Sequence, residues 1–368
     1  MKNFKIRNFL KRVNLEKIKM WRTVLDAYCN FLRRNRYKIA RLIAKITNTP
    51  TLDHLNDIEY VISFFRKLNL HIELHEKYFL IPYGKVLIGL PSNEPVVNTL
   101  VPVVSALVAG NYVIVKPSYE NRDIVKRLLS PLFKFGVSKN QLKIKYVRKD
   151  KIRDLIKKVD YVFWMGGYRS TRIISKICYE LNKKFYFESE GINYSIIDES
   201  IDKKDLRKIV VLILKSLKIH MGKRCQTIRG ILIHERNFNE FLREFLKCIN
   251  KNQYSFKLKI TKSLRDDCLY NSYNLLNYIF LGKYSNSSEL INFLNKNFFP
   301  LSLYIFSRKK FQVLFKNLIR KVKYSRVVIN KDPSKVYIFE PWGGIKNSGV
   351  FGPEAWINKF SMRMSIIV

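Results

Sequence analysis

Between Lys85 and Ser189 the chain alternates short apolar runs with longer amphipathic stretches: "KVLIGL" at 85–90, "YVIVKP" at 112–117, "LKIKYV" at 142–147, "YVFWM" at 161–165 and "KFYFES" at 184–189. The runs have the length and the β-branched and aromatic content of buried strands. Between them the spacing predicts helices: "NTLVPVVSALVAGN" ending at Gly110, then segments near 120–135, 150–158 and 168–182. Strands that alternate with helices build βαβ units, so the chain is read as α/β with a mostly parallel, doubly wound sheet. Two helices, about 21–46 and 53–68, come first. A second α/β half follows, with strands near 229–234, 301–306 and 325–329, and the terminal "FSMRMSIIV" reads as one more strand.

At 368 residues, 47% of them hydrophobic, the chain buries a large core and suggests two or three domains. Its five cysteines (29, 178, 225, 248, 268) are odd in number and have no partner at metal-ligand spacing, which argues for a reducing compartment and against a metal site. The formal charge of +40 raises the question of a nucleic-acid or membrane partner. The excess runs from Lys2 to Lys359, however, with abundant Asn, Ile, Tyr and Phe and few Ala, Gly and Pro, the pattern AT-rich codons produce. No specific nucleic acid and no membrane partner is therefore expected. Residues 1–47 hold 14 Lys/Arg against Glu16 and Asp26, but Leu25, Tyr28, Leu32, Ile39, Leu42 and Ile43 recur at helical spacing, as in the surface helix of a folded domain rather than a transit peptide. With no apolar run near 18 residues, the expectation is a cytoplasmic protein.

In a doubly wound sheet ligands bind beyond the carboxyl ends of the strands. Four loops lie there: "LPSNEP" at 90–95, "KPSYEN" at 116–121, "GGYRST" at 166–171 and "ESEGIN" at 188–193. A Gly-Gly pair at a helix start suits a phosphate, and equally a plain turn. Further on, Cys225 stands in "HMGKRCQTIRGILIHE" just before a strand. On its own it is either a nucleophile or a small buried side chain.

Read in order, these segments resemble the aldehyde dehydrogenase superfamily. "PSNEP" is similar to the family's P-x-N-x-P loop, "VSALVAGNYVIVKPS" to its helix, strand and Lys-Pro-Ser turn, and "FWMGGYRSTR" stands where F-T-G-S-x-x-x-G-R stands. "FESEGIN" resembles E-L-G-G-K-N, "GKRCQTIRGILIHE" the G-Q-x-C loop, and "PWGGIKNSG" the C-terminal P-F-G-G-x-K-x-S-G. The resemblance runs from Trp21 to Val368. It implies a Rossmann-like cofactor domain (1–70 and 82–193), an α/β catalytic domain (194–357) and remnant oligomerisation strands (71–81 and 358–368), hence a homodimer or higher homo-oligomer.

The resemblance also assigns roles. Cys225 becomes the nucleophile toward a small aldehyde, with Lys223 and Arg224 beside it in sequence; Asn93 with the Cys225 N–H becomes the oxyanion donor; Glu188 becomes the base that activates water. For NAD or NADP, Lys116, 23 residues after Asn93, meets the adenosine ribose; Pro91, Ser118, Glu120, Gly166 and Gly167 complete the set. Several positions depart from the family. Tyr119 replaces the usual acid, with Glu120 one place later, so NAD against NADP stays open. Lys296 in "KNFFP" replaces a glutamate, Glu190 sits at a small-residue position, and Thr171 replaces a glycine. The departures keep two alternatives: a CoA-acylating enzyme, which Glu188 opposes, and a decayed, basic binding protein on the same scaffold.

Overall fold

Backbone direction organises this chain: each of its two large sheets is parallel throughout. The computed structural model describes residues 2–68, 79–252, 257–261, 264, 278–337, 340, 342–350, 352 and 356–364. The chain forms two units. The first comprises Met1–Glu188, Tyr337–Trp342 and Gly352–Val368, and the second Ser189–Val336 and Gly343–Phe351.

In the first unit five strands lie in the order β4 (Leu142–Ile144), β3 (Tyr112–Lys116), β2 (Lys85–Gly89), β5 (Tyr161–Met165), β6 (Lys184–Glu188). The chain starts in the middle at β2, moves outward through β3 and β4, then returns to the other side at β5. That reversal makes β2/β5 the topological switch point. Both faces are covered, which is why the strands read as continuous apolar runs. Val86, Ile88, Tyr161, Phe163 and Met165 face a core built with helices Lys2–Thr47, Thr51–Arg66, Pro95–Val108 and Arg122–Lys134. Leu87, Val162 and Trp164 face the opposite way, onto helices Ile152–Lys157 and Tyr168–Glu180. The first helix starts well before the expected Trp21, since no Gly or Pro interrupts the chain before Pro50. The strand expected over 142–147 is shorter, ending at Ile144.

A two-stranded antiparallel ribbon completes this unit, pairing β1 (Phe79–Pro82) with β13 (Ser361–Met364). The earlier part of the expected 71–81 strand and the end of the chain beyond Met364 lie outside the described residues.

The second unit holds six parallel strands in the order β12 (Arg326–Ile329), β11 (Ser302–Phe306), β7 (Asn193–Ile197), β8 (Ile228–His234), β10 (Tyr278–Tyr284), β9 (Lys257–Thr261). Helices Lys203–Lys218 and Glu235–Asn252 pack on it through Ile209, Ile213, Phe241 and Phe245. Strands β7, β9 and β10 are absent from the sequence reading: β7 is five residues long and runs directly out of the polar "ESEG" segment.

At the switch point Gly89 pairs with Trp164 across β2 and β5. A Cβ there would fall inside the buried indole. Gly89→Ala is therefore expected to destabilise the protein by about 1–3 kcal/mol through overpacking, read as a lower urea midpoint. A midpoint equal to wild type would show that Trp164 can move aside.

Candidate active site

All four loops singled out from the sequence begin at carboxyl ends of strands in the first sheet. Buried Asn121 ties two of them together, its side-chain amide donating to the carbonyls of Pro91 (3.3 Å) and Ser92 (2.8 Å). The Leu90 N–H donates to the Lys116 carbonyl at 3.0 Å. Glu94 adopts a left-handed conformation (φ 44°) and turns the loop into helix Pro95–Val108, with proline at the first helical position, where a missing N–H costs nothing. Asn98, in the first turn, donates to the Asn93 carbonyl at 2.9 Å and lies 3.4 Å from its side-chain oxygen. Asn93 is thus held by its own backbone at the mouth of the switch point.

Lys116 ends β3, its Nζ 5.7 Å from the Trp164 ring centroid. Burial lowers its pKa; Glu120 opposes that shift and Lys149 adds to it. The Ser118 hydroxyl is buried and has no hydrogen-bond partner among the described residues. A buried hydroxyl left without a partner beside a strand-end lysine is a group that a sugar or phosphate would satisfy. On the neighbouring strand, the Gly166 N–H donates to the Glu188 carbonyl at 3.1 Å, and Gly167 caps helix Tyr168–Glu180. A Cβ at Gly166 would lie 2.8 Å from Ser170 Oγ, so a larger residue there would displace the Ser170 hydroxyl. Buried Thr171, in place of a glycine, turns its hydroxyl onto the carbonyls of Gly166 and Gly167, both at 3.2 Å. These residues fit a dinucleotide: a cation and hydroxyl at β3, and the start of a helix after β5.

Glu188 is the last residue of β6. Burial raises its carboxyl above the usual range, and the Lys359 ammonium, 3.9 Å from Oε1, pulls it back. Its Oε1 is buried and accepts no hydrogen bond among the described residues.

Cys225 belongs to the second unit, at the amino end of β8. It occupies a turn closed by the Thr227 N–H to the Arg224 carbonyl at 3.1 Å. Asn193, fully buried, holds that turn: its amide donates to the carbonyls of Cys225 and Thr227, both at 2.8 Å, while its oxygen accepts the Ser302 N–H at 2.7 Å. Gly191 lies so close to the Cys225 carbonyl that no side chain could replace it. Cys225 is partly exposed, whereas burial pushes the thiols of Cys29 up to about 11 and Cys178 up to about 12. Those two are inert packing residues. Cys248 is partly exposed, and Cys268 lies outside the described residues.

Sequence reasoning weighed Lys223 and Arg224 as charges for Cys225 and missed Arg229. Arg229 is buried, donates to the Gly222 carbonyl at 2.6 Å and interacts electrostatically with Cys225. Burial lowers its pKa to about 10, which leaves it cationic at neutral pH. It sits two residues into an apolar strand, and a charge inside such a strand was the available signal. Lys296 is exposed at the end of helix Ser287–Lys296, and the next residue, Asn297, is fully buried and donates to the Ile192 carbonyl (2.8 Å) and Tyr324 hydroxyl (2.9 Å). Lys346 caps the same helix through the carbonyls of Asn295 (2.7 Å) and Asn297 (2.9 Å).

Asn193→Ala strands two carbonyls and one N–H and is expected to cost at least about 2 kcal/mol. Asn193→Asp should melt lower still, because it points a carboxylate oxygen at two carbonyls. An Asp variant melting with wild type would remove Asn193 as the anchor of the Cys225 turn.

The sequence model of the aldehyde dehydrogenase family matches residues 11–259. The chain is 25% identical over 239 residues to N-succinylglutamate 5-semialdehyde dehydrogenase of Legionella pneumophila (strain Paris), covering 60% of this chain and 47% of that protein. It is 31% identical over 122 residues to human aldehyde dehydrogenase family 3 member B1, covering 33% and 26%. The chain thus spans about half the length, or less, of the curated relatives it matches. Among solved structures it resembles succinic semialdehyde dehydrogenase from Streptococcus pyogenes in complex with NADP+ (TM-score 0.81, 18% identity, 99% of this chain and 94% of that one). It also resembles an oxidoreductase from Marinobacter aquaeolei (TM-score 0.82, 16% identity, 95% and 85%). With the fold and the ordered motifs in agreement, the chain belongs to the aldehyde dehydrogenase family.

Proposed function

We propose that the protein oxidises an aldehyde to a carboxylic acid with NAD or NADP, using Cys225 as nucleophile. The observation that carries this reading is the Cys225 turn, a partly exposed cysteine fixed from below by Asn193 and next to the buried charge of Arg229. A thiol is mostly protonated at neutral pH, and a neighbouring guanidinium favours the thiolate. The sulfur adds to the aldehyde carbonyl to give a thiohemiacetal. Asn93 and the Cys225 N–H would donate to its oxygen, each such donor being worth about 3–4 kcal/mol.

Lys116, Ser118, Glu120, Pro91, Gly166 and Gly167 would hold the dinucleotide. When bound, its nicotinamide supplies the hydride acceptor that turns a thiohemiacetal into a thioester. Glu188 then takes a proton from water, whose oxygen attacks the acyl carbon; the acid leaves and the Cys225 thiol is regenerated.

Cys225→Ala is expected to abolish both the first-turnover burst of reduced cofactor and steady turnover. Glu188→Gln should keep a burst and lose turnover by about 100-fold, with the acyl group trapped on Cys225 in the mass spectrum. A wild-type enzyme silent with both NAD and NADP over an aldehyde panel would sink the reading, and turnover that requires CoA would replace water as the acceptor.

The β1/β13 ribbon, which has no third strand among the described residues, supports a homodimer or higher oligomer formed by edge pairing. Light scattering at micromolar concentration should then report at least twice the 43.8 kDa chain mass. A monomer would exclude this role for the ribbon.

A further inference from the structure

The first unit buries an ammonium group that the proposed reaction does not use. Lys359, at the end of the short helix Trp356–Lys359, is 3% exposed. Its Nζ donates to the Tyr186 hydroxyl at 2.5 Å and to the Trp342 carbonyl. It lies 4.5 Å from the Tyr186 ring centroid and 5.1 Å from that of Trp356. Tyr186 in turn donates to the Trp342 carbonyl at 3.0 Å, and Gly352 lies so flat on its ring that a Cβ would come within 2.6 Å. Two aromatic faces, a hydroxyl and a carbonyl solvate this cation, and none of them carries charge.

Among the described residues the carboxylate recorded within ion-pair distance of Nζ is Glu188, at 3.9 Å. That separation is too long for a hydrogen bond but close enough for a strong charge interaction at a site poor in water. The cage directs the ammonium's donors at Tyr186 and Trp342, while Glu188 Oε1 keeps its lone pairs. This is the arrangement a base needs. A cation that bonded the carboxylate directly would occupy the lone pair that must take the proton, and no cation at all would let burial protonate it.

We propose that Lys359 is the positioning residue of Glu188, holding the carboxylate in its charged form from a distance that leaves its oxygen open to accept a proton. This rests on the reading of Glu188 as the base. Among the described residues the other titratable groups facing the pair are Tyr161 and Tyr186, both kept neutral by burial, which raises their hydroxyls well above the ordinary value. Tyr83 stacks beside Tyr161 at 4.5 Å, with Lys184 4.6 Å above the Tyr83 ring. Burial raises Glu188 and Lys359 lowers it, so removal of the lysine charge strengthens the hold of Glu188 on a proton. Less ionised base is then present at any given pH, and the acid limb of turnover moves upward.

The experiment is the pH profile of steady turnover for wild type, Lys359→Gln and Lys359→Met, with burst amplitude measured in parallel. Gln can still donate to Tyr186 and Trp342 and keeps the cage filled; Met tests the same charge loss in a variant that needs no hydrogen bonds. The acid limb is expected to rise by about one pH unit or more, so turnover on that limb falls about tenfold, and the loss falls on turnover rather than on the burst. Lys359→Arg should restore most of it. In the cofactor-free protein the infrared band of the protonated carboxyl that Glu188→Gln removes should titrate at higher pH by the same amount. Superimposable acid limbs and infrared titrations in wild type and both neutral variants would overturn the proposal while leaving Glu188 as the base. Turnover unaffected by Glu188→Gln would instead overturn the base assignment, and this proposal with it.

Discussion

Parallel pairing is the constraint on which the rest depends. Because β2 to β6 all run one way, their carboxyl ends collect on a single edge, and whatever follows each strand is delivered to the same place. Asn93 follows β2, Lys116 ends β3, Gly166 follows β5 and Glu188 ends β6. None of these residues is near another in the chain. Short contacts then fix their relative heights: Asn121 bridges two loops, Gly166 bonds the end of β6, and Gly89 lies between Lys116 and Trp164, whose indole packs against it.

The second unit solves a different problem, that of holding one sulfur still. A cysteine in a loop is only as well placed as its backbone, and here the turn is held by the Asn193 amide together with the Tyr304 hydroxyl, which donates to the Gln226 carbonyl at 2.9 Å. Asn193 uses both donors on the Cys225 turn and its acceptor on the Ser302 N–H, so its rotamer is determined from two segments at once. Glu188 is the contrast. Its charge is balanced at a distance and its oxygen is left without a hydrogen bond, so it is poised rather than locked. Full satisfaction marks the groups that position; partial satisfaction marks the one that would react.

The first sheet was legible because its central strands are buried on both faces and therefore nearly continuous apolar runs, as in "YVFWM". The four loops were legible for the same reason, since each begins where an apolar run stops. Strand β7 was harder to see because "NYSII" begins with a buried asparagine whose polarity is spent on tertiary bonds that no local pattern reveals. Lys359 was equally hidden: a lysine near the chain end reads as solvated, and only the approach of Tyr186, Trp342 and Trp356 makes it a buried cation. Thr171 reads in the sequence only as a departure from the family's glycine, and that its hydroxyl folds back onto the carbonyls of Gly166 and Gly167 is visible only in the structure. The ordered motifs carried the family; the electrostatics came from residues far apart in the chain.

The segment before Cys225 places His220, Met221 and Gly222 in succession at positive φ (49°, 55° and 72°). Only the glycine does so without a steric penalty; a side chain in that region costs on the order of 1 kcal/mol or more. Two strained residues in a row therefore make this hinge a place where the native state is less stable than its contacts imply. Of the two, Met221 is exposed, so glycine at 221 would release strain without emptying a buried position, whereas His220 is buried. Stability gained at 221 and a looser Cys225 turn would be two readings of the same pair of dihedral angles.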